Sequence, residues 1–235
     1  MKLGEDDPST LTCMSFLATT YYHQGKYSDA EVLYKQCLAK EKVVLGESHP
    51  NTFCTMNNLA GIYDKQERYS DAEALYKQCL DKKKEVLGDT HLDTLTTMTS
   101  LAITYDHQGK YSEAAVMSKH CLDTRKAVLG ENHPETLCTM NNLAGIYDSR
   151  GKHREAEVLF KQCLDKMKVV LGENHPHTLH TMNNSGRNCY LRGQYREAEV
   201  LFKQCLDKKT VVLGANHPET LLTKNSLARV LQMNR

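Results

Sequence analysis

Apolar residues fall along this chain in two alternating helical stripes. Met56, Leu59, Ala60 and Tyr63 stand at i, i+3, i+4 and i+7, one side of a helix that turns every ~3.6 residues. A second stripe, Ala72, Leu75, Tyr76, Cys79 and Leu80, keeps the same period. Between them Gln66-Glu67-Arg68 is replaced farther along by Gln108-Gly109-Lys110 and Arg150-Gly151-Lys152. Glycine is thus admitted where a left-handed residue closes a helix, and the spacing predicts a helical hairpin. Its second helix is expected to open at Ser70-Asp71-Ala72-Glu73, read as a capping box like Ser28-Asp29-Ala30-Glu31, and to end at Leu87-Gly88.

The hairpin recurs. LGESHPNTFCTMNNLAGIYD at 45–64 returns as LGENHPETLCTMNNLAGIYD at 129–148 and, in altered form, as LGENHPHTLHTMNNSGRNCY at 171–190. Gly4, Gly46, Gly88, Gly130, Gly172 and Gly214 each follow a leucine at intervals of 42 residues without insertion. An extra residue inside a helix would rotate every later side chain by about 100°, so constant length means that each unit meets its neighbours through the same surface. The expected fold is an all-α solenoid of stacked antiparallel hairpins. A single repeat domain is expected over residues 1–235, with units beginning near those glycines: about five helix pairs and a final unpaired helix.

The junction between units has its own chemistry. Pro50, Pro134, Pro176 and Pro218 suit the first helical position, where a missing amide hydrogen costs nothing. His49, His133, His175 and His217 then fall at the helix cap, with Asp7 in their place in the first copy. A metal ladder is the alternative, but packed helices lie about 8–10 Å apart, too far for side chains that must each come within about 2 Å of one ion. Cys37, Cys79, Cys121, Cys163 and Cys205 recur inside the second stripe, where a small buried side chain allows close crossing. Their copies are expected to lie beyond the ~7 Å reach of a disulfide.

Composition removes several classes of function. With 30 basic and 29 acidic residues, a formal charge of +1 gives no single-sign field, and nucleic acid is not the expected partner. No apolar run nears the roughly 18 residues of a membrane span, and MKLGEDDPST lacks the apolar core of a secretory signal. A cytoplasmic protein without cofactor is expected, and an odd count of nine cysteines argues against a disulfide framework.

Met56-x-x-Leu59-Ala60-x-x-Tyr63 followed by Ala72-x-x-x-Tyr76 resembles the tetratricopeptide pattern, with Phe160 and Phe202 restoring its aromatic residue. The longer unit, with its LGxxHP junction and NNLA motif, is similar to the 42-residue variety of kinesin light chains. HEAT-type repeats share the length but do not predict the aromatic and small-residue positions. The resemblance covers the chain and implies a right-handed superhelix with first helices on the concave face. It also implies a non-catalytic scaffold that binds a peptide or protein segment in that groove.

On the first helix Cys54, Asn57, Asn58, Gly61, Asp64 and Lys65 escape the packing stripe and share one side, the candidate groove. Asn57-Asn58 returns as Asn141-Asn142 and Asn183-Asn184, relaxed to Asn225-Ser226 and Thr99-Ser100. An amide side chain both donates and accepts, which suits an extended peptide main chain. By the resemblance, the second asparagine of each pair matches a position that contacts peptide backbone, and Phe16, Ser100 and Ser226 depart from it. The alternative is a hydrogen-bond ladder that only cross-links helices. Arg187 and Arg229 take the place of Gly61 and Gly145 one repeat apart, and with His180 they are expected to attract an acidic peptide to the C-terminal half, unless they mark decay of a duplicated unit. Asp64, Asp106 and Asp148 are expected to make the other half acidic.

Lys82-Lys83-Lys84 and Lys208-Lys209, late in second helices, are expected to face water. Head-to-tail self-association is the competing function, since the chain opens at a junction, Met1-Lys2-Leu3-Gly4, and closes on Leu221, Leu222, Leu227, Val230 and Leu231 without polar caps. Such limits are expected of a piece of a longer protein. Catalysis is the weakest reading: Cys138 and His180 share a helical position in successive units, but no oxyanion loop, P-loop, Rossmann or zinc-protease motif accompanies them.

Overall fold

The computed structural model describes residue 4 and residues 6–234, and among them are eleven α-helices and no strand. First helices of the repeats are α1 (Pro8–His23), α3 (Pro50–Lys65), α5 (Leu92–His107), α7 (Pro134–Ser149), α9 (Pro176–Leu191) and α11 (Pro218–Met233). Second helices are α2 (Tyr27–Val44), α4 (Tyr69–Leu87), α6 (Tyr111–Leu129), α8 (His153–Val170) and α10 (Tyr195–Leu213).

The repeated junction is a compact start signal. Gly46, Gly88, Gly130, Gly172 and Gly214 hold φ between 88° and 94°, a region a side chain would strain. Thr52 and Thr178 reach back to donate to the carbonyls of Gly46 and Gly172 at 2.8 Å. The Nδ1 atoms of His49, His91, His133, His175 and His217 then accept from the backbone N–H two residues on at 3.1–3.3 Å. Asp7 Oδ1 does the same for Ser9 at 2.8 Å. The histidines therefore cap helices, each supplying an acceptor for an amide that has no partner inside the helix.

The second helices start differently from the expected capping box. α2 and α4 begin one residue before the serine, after Lys26 and Arg68, and neither has a side-chain cap. Glu31 and Glu73 reach instead to the turn of the following repeat. Arg68 bonds Glu31 at 2.9 Å, while Gln108 and Lys110 donate to Glu73 at 2.9 and 2.8 Å. Burial pushes both carboxyls up, yet bonds from Lys35, Arg68 and Gln66 to Glu31, and from Lys110, Lys77 and Gln108 to Glu73, outweigh it and pull each down to about 2. Farther along, Arg192 pairs with Glu157, and Asn234 donates to Glu199 at 2.7 Å, in the same relation. Between the helices of each hairpin the turn holds a left-handed residue: Gly25, Gly109, Gly151, Gly193, and in one case Glu67 at φ 62°.

The chain divides into two compact units, Met1–Met117 and Ser118–Arg235, the division falling inside α6. In the first unit α1 to α5 pack consecutively, and α1 also approaches α3 and α3 approaches α5. In the second, α7 to α11 pack consecutively, and α7 approaches α9 and α9 approaches α11. Among the described residues no Cα of α2 comes within 8 Å of α4, nor any of α8 of α10. First helices are therefore the crowded inner row of each unit and second helices the splayed outer row, as a stack of antiparallel hairpins requires.

Small residues permit that packing. Ala60, Ala72, Ala144, Ala156 and Ala198 are fully buried, and Ala144 and Ala156 close on Phe160. Cys37, Cys79, Cys163 and Cys205 are likewise buried, and each thiol donates to a carbonyl 26 residues earlier, at Leu11, Phe53, Leu137 and Leu179, over 3.1–3.6 Å. A buried S–H so engaged joins the two helices of one hairpin.

The lysine runs correct the expectation of a solvated face. Lys82 and Lys208 pair on the surface with Glu47 and Glu173, and Lys84 with Asp89. Lys83 and Lys209 are buried, donating to Thr97 at 2.9 Å and Glu219 at 3.0 Å. One lysine of each run is on the inner side because successive residues step by about 100° round the helix. Among the described residues no helix is long and apolar enough to cross a membrane, and no group of three or more His, Cys, Asp or Glu side chains could hold a metal. Met1, Lys2 and Leu3, the expected N-terminal contact for self-association, lie outside the described residues.

Candidate functional site on the inner row of helices

In the first unit the inner row forms a cleft of about 270 Å³. Thr19, Tyr22, His23, Tyr34, Asn57, Asn58, Gly61 and Tyr76 line it. Tyr34 Oη bonds Thr19 Oγ1 at 2.7 Å, and Asn58 Nδ2 lies 3.7 Å from Cys54 Sγ. Asn57 Oδ1 is buried without a hydrogen-bond partner among the described residues. Lys65 is exposed in the last turn of α3. Asp64, expected to give this half a free negative charge, is mostly buried and bonds His107 Nδ1 at 3.1 Å. That bond raises the His107 pKa, with burial opposing.

In the second unit a larger cleft, about 400 Å³, is lined by residues that include Cys138, Asn141, Asn142, His180 and Glu219. Asn184 Nδ2 donates to Asn141 Oδ1 at 3.3 Å, and Thr223 Oγ1 donates to Asn183 Oδ1 at 3.0 Å. In this unit the first members, Asn141 and Asn183, are thus held in a ladder between neighbouring inner helices, and Asn184 joins it with one amide N–H. Asn142 lines the cleft, and Asn225 is exposed. His180 also lines the cleft; crowding by protein lowers its pKa most, with Lys209, His177 and Arg187 adding and Glu219 opposing.

Arg187 and Arg229 both emerge to solvent on this face. Arg229 has no ion-pair partner among the described residues, while Arg187 Nη2 lies 3.7 Å from Asp148 Oδ2. Asp148 corrects the expectation of an acidic surface: its side chain is fully buried. His153 Nδ1 meets its Oδ1 at 2.6 Å, and Asn188 Nδ2 donates to the same oxygen at 2.8 Å. His153 stands where the other second helices begin with tyrosine, and Asn188 where Ile62 and Ile146 stand. The two departures from the repeat meet around one carboxylate.

Sequence reasoning missed one row. Glu41, Lys83, Arg125, Met167 and Lys209 occupy one position of the second helices and are all buried, although four bear charge. They turn toward the next inner helix: Lys83 to Thr97, Arg125 to Thr139, Lys209 to Glu219, while Met167 accepts from Thr181 at 3.2 Å. The available signal was variation. In units that repeat nearly word for word, this position changes from acid to base to thioether, while the buried cysteine four residues before it is kept in every unit.

Comparison with known proteins follows the same lines. A tetratricopeptide repeat family model matches residues 10–51, 55–93, 94–135 and 136–177, and a second such model matches 159–210. No match was found among curated proteins. Among solved structures, the nearly identical TPR-like repeats of a kinesin-light-chain protein from Podosopora anserina superpose with a TM-score of 0.72 at 24% identity, covering 90% of this chain and 99% of that one. BtubC (BKLC) from P. vanneervenii gives 0.71 at 22%, covering 89% and 83%. NprR, in complex with its cognate peptide NprX, gives 0.68 at 18%, covering 94% and 59%. These identities speak for the fold alone.

Proposed function

This chain belongs to the tetratricopeptide repeat family, and we propose that it is a non-catalytic scaffold that takes a peptide or protein segment against the inner row of first helices. The observation that carries the reading is the pair of exposed arginines, Arg187 and Arg229, on the inner face of the second unit, one of them without an ion-pair partner among the described residues. A planar guanidinium left open to solvent is suited to bidentate capture of a carboxylate. Asn142 and Asn184 flank the same face with amide groups for the peptide main chain, and Asn225 extends it. NprR, a structural neighbour, was crystallised with a peptide, which supports the same use of the fold. The segment preferred by the second unit is acidic.

Cys138 and His180 support the non-catalytic part of the reading. Burial pushes the Cys138 thiol up to about 11, and crowding by protein, with Lys209, His177 and Arg187 adding, holds the His180 imidazole below its ordinary range. An activated thiolate–imidazolium pair needs both shifts in the opposite sense. Six cysteines buried as free thiols suit the reducing cytosol, where we place the protein.

Acetylated hexaglutamate amide is a sufficient probe. The account predicts binding that weakens with added salt and falls about tenfold or more in the Arg187→Glu, Arg229→Glu double variant. Absence of binding, or equal binding by the variant, would overturn it. A second reading, end-to-end self-association, is favoured by α11, where Leu221, Leu222, Leu231 and Met233 are 38–65% exposed. Sedimentation over a range of concentration tests it: mass rising with concentration supports association, and a constant monomer mass removes it.

A further inference from the structure

We propose that the inner cleft of the first unit is an ammonium site, one that receives the lysine side chain of a bound peptide at the Asn57 side-chain oxygen among the phenols of Tyr22, Tyr34 and Tyr76. The proposal rests on the reading that a peptide lies along the inner helices, and it adds a second chemistry to that of the arginines.

Asn57 begins the case. Its counterparts Asn141 and Asn183 have their side-chain oxygens satisfied by Asn184 and Thr223 of the following inner helix. The residues in those two donor positions on α5 are Ser100 and Thr97. Thr97 accepts from Lys83 Nζ at 2.9 Å and donates to the Asp93 carbonyl at 3.2 Å, and the shorter serine in the place of Asn184 makes no bond to Asn57. Asn57 Oδ1 is therefore left buried and without a partner among the described residues, and a buried acceptor in that state calls for a donor from outside.

The walls select which donor. Neither lysine nor arginine lines the cleft; its polar atoms are hydroxyls, two amides and the His23 ring. The Asp64 carboxylate is close enough to act on the Tyr76 hydroxyl. A carboxylate ligand would meet further acceptors and a nearby like charge, and an aliphatic one would leave Asn57 unpaired. A primary ammonium has three donors and no acceptor, and phenol rings attract cations.

Gly61 holds the mouth open. The equivalent positions carry Ile103, Arg187 and Arg229, so this fold accepts bulk there. A Cβ at Gly61 would stand 3.4 Å from Tyr76 Oη, so a side chain would project from the rim of the cleft. Filling that position should close the site and leave the hairpin intact.

The test uses the whole chain and four probes: the blocked pentapeptide acetyl-Gly-Gly-Lys-Gly-Gly-amide, its norleucine and acetyl-lysine counterparts, and n-butylammonium. Nuclear magnetic resonance follows the Asn57 side-chain amide and the Gly61 backbone amide during titration. The lysine peptide is expected to shift both, with each neutral counterpart and n-butylammonium binding about tenfold more weakly, since charge-assisted bonds are lost with the former and main-chain contacts with the latter. Gly61→Ile should abolish the response without lowering the melting temperature, and Gly61→Ala should weaken it if the larger variant does not fold. Equal response to norleucine, or an unaltered response in the glycine variant that folds, overturns the site. Equal affinity for n-butylammonium overturns the peptide as its source. Hexaglutamate binding at Arg187 and Arg229 is expected to survive Gly61→Ile, so failure of one account is distinguishable from failure of the other.

Discussion

Gly145 and Gly186 lie in the interiors of α7 and α9, and a reader of the sequence would treat them alike. Their surroundings differ. A Cβ added at Gly145 meets nothing within 4 Å, whereas one at Gly186 meets three atoms of the Phe202 ring at 3.1–3.2 Å. Phe202 is buried against Cys189, Ala198 and Val230, which crowd the ring that would have to withdraw. Gly145→Ala should therefore raise stability by about 1 kcal/mol, the usual gain of alanine over glycine inside a helix. Gly186→Ala should lower it, since overpacking of about 1–3 kcal/mol exceeds that gain. Thermal unfolding of the two variants is expected to move in opposite directions, and a shared direction would contradict the packing described. Both glycines were visible in the sequence, but only the position of an aromatic ring from another helix separates them.

Elements were read more accurately than the contacts that join them. Histidine caps and the buried cysteine row follow from local rules of helix starts and stripes, and both are in place. The serine–glutamate box failed because Glu31 and Glu73 found cationic partners across the repeat boundary, a choice that a local pattern cannot register. The same boundary carries a pH-sensitive link between α3 and α5. His107 has its folded-state pKa raised above the ordinary 6.5 by Asp64. Its contribution to stability is therefore complete below about 6.5 and is lost as pH rises through the raised value. Unfolding followed between pH 5 and 9 should show stability falling on the alkaline side of that window, and Asp64→Asn should remove this component. An unchanged pH profile in that variant would contradict the assigned link.

At the scale of the whole chain, the 42-residue period made the fold class legible, because every unit must offer the same faces to the next. Function was less so. What repeats is what packs, and the arginines of the proposed contact, Arg187 and Arg229, are departures from the repeat. Residue type alone misleads for several charged side chains. Asp148 looked like surface charge and is a buried hub for His153, Asn188 and Arg187, while Lys83 and Lys209 looked solvated and are buried. Only the packed neighbours decide such cases, since a charged side chain enters the interior when a partner awaits it there.

The central claim is that ligand lies along the inner helices. It is tested most directly by titrating hexaglutamate amide into isotopically labelled chain and mapping which side chains respond. The account predicts shifts at the Asn142 and Asn184 amides and at the Arg187 and Arg229 guanidinium groups, with the outer face of α10 at Val200 and Lys203 unmoved. Shifts confined to that outer face, with the inner asparagines and arginines unchanged, would contradict it.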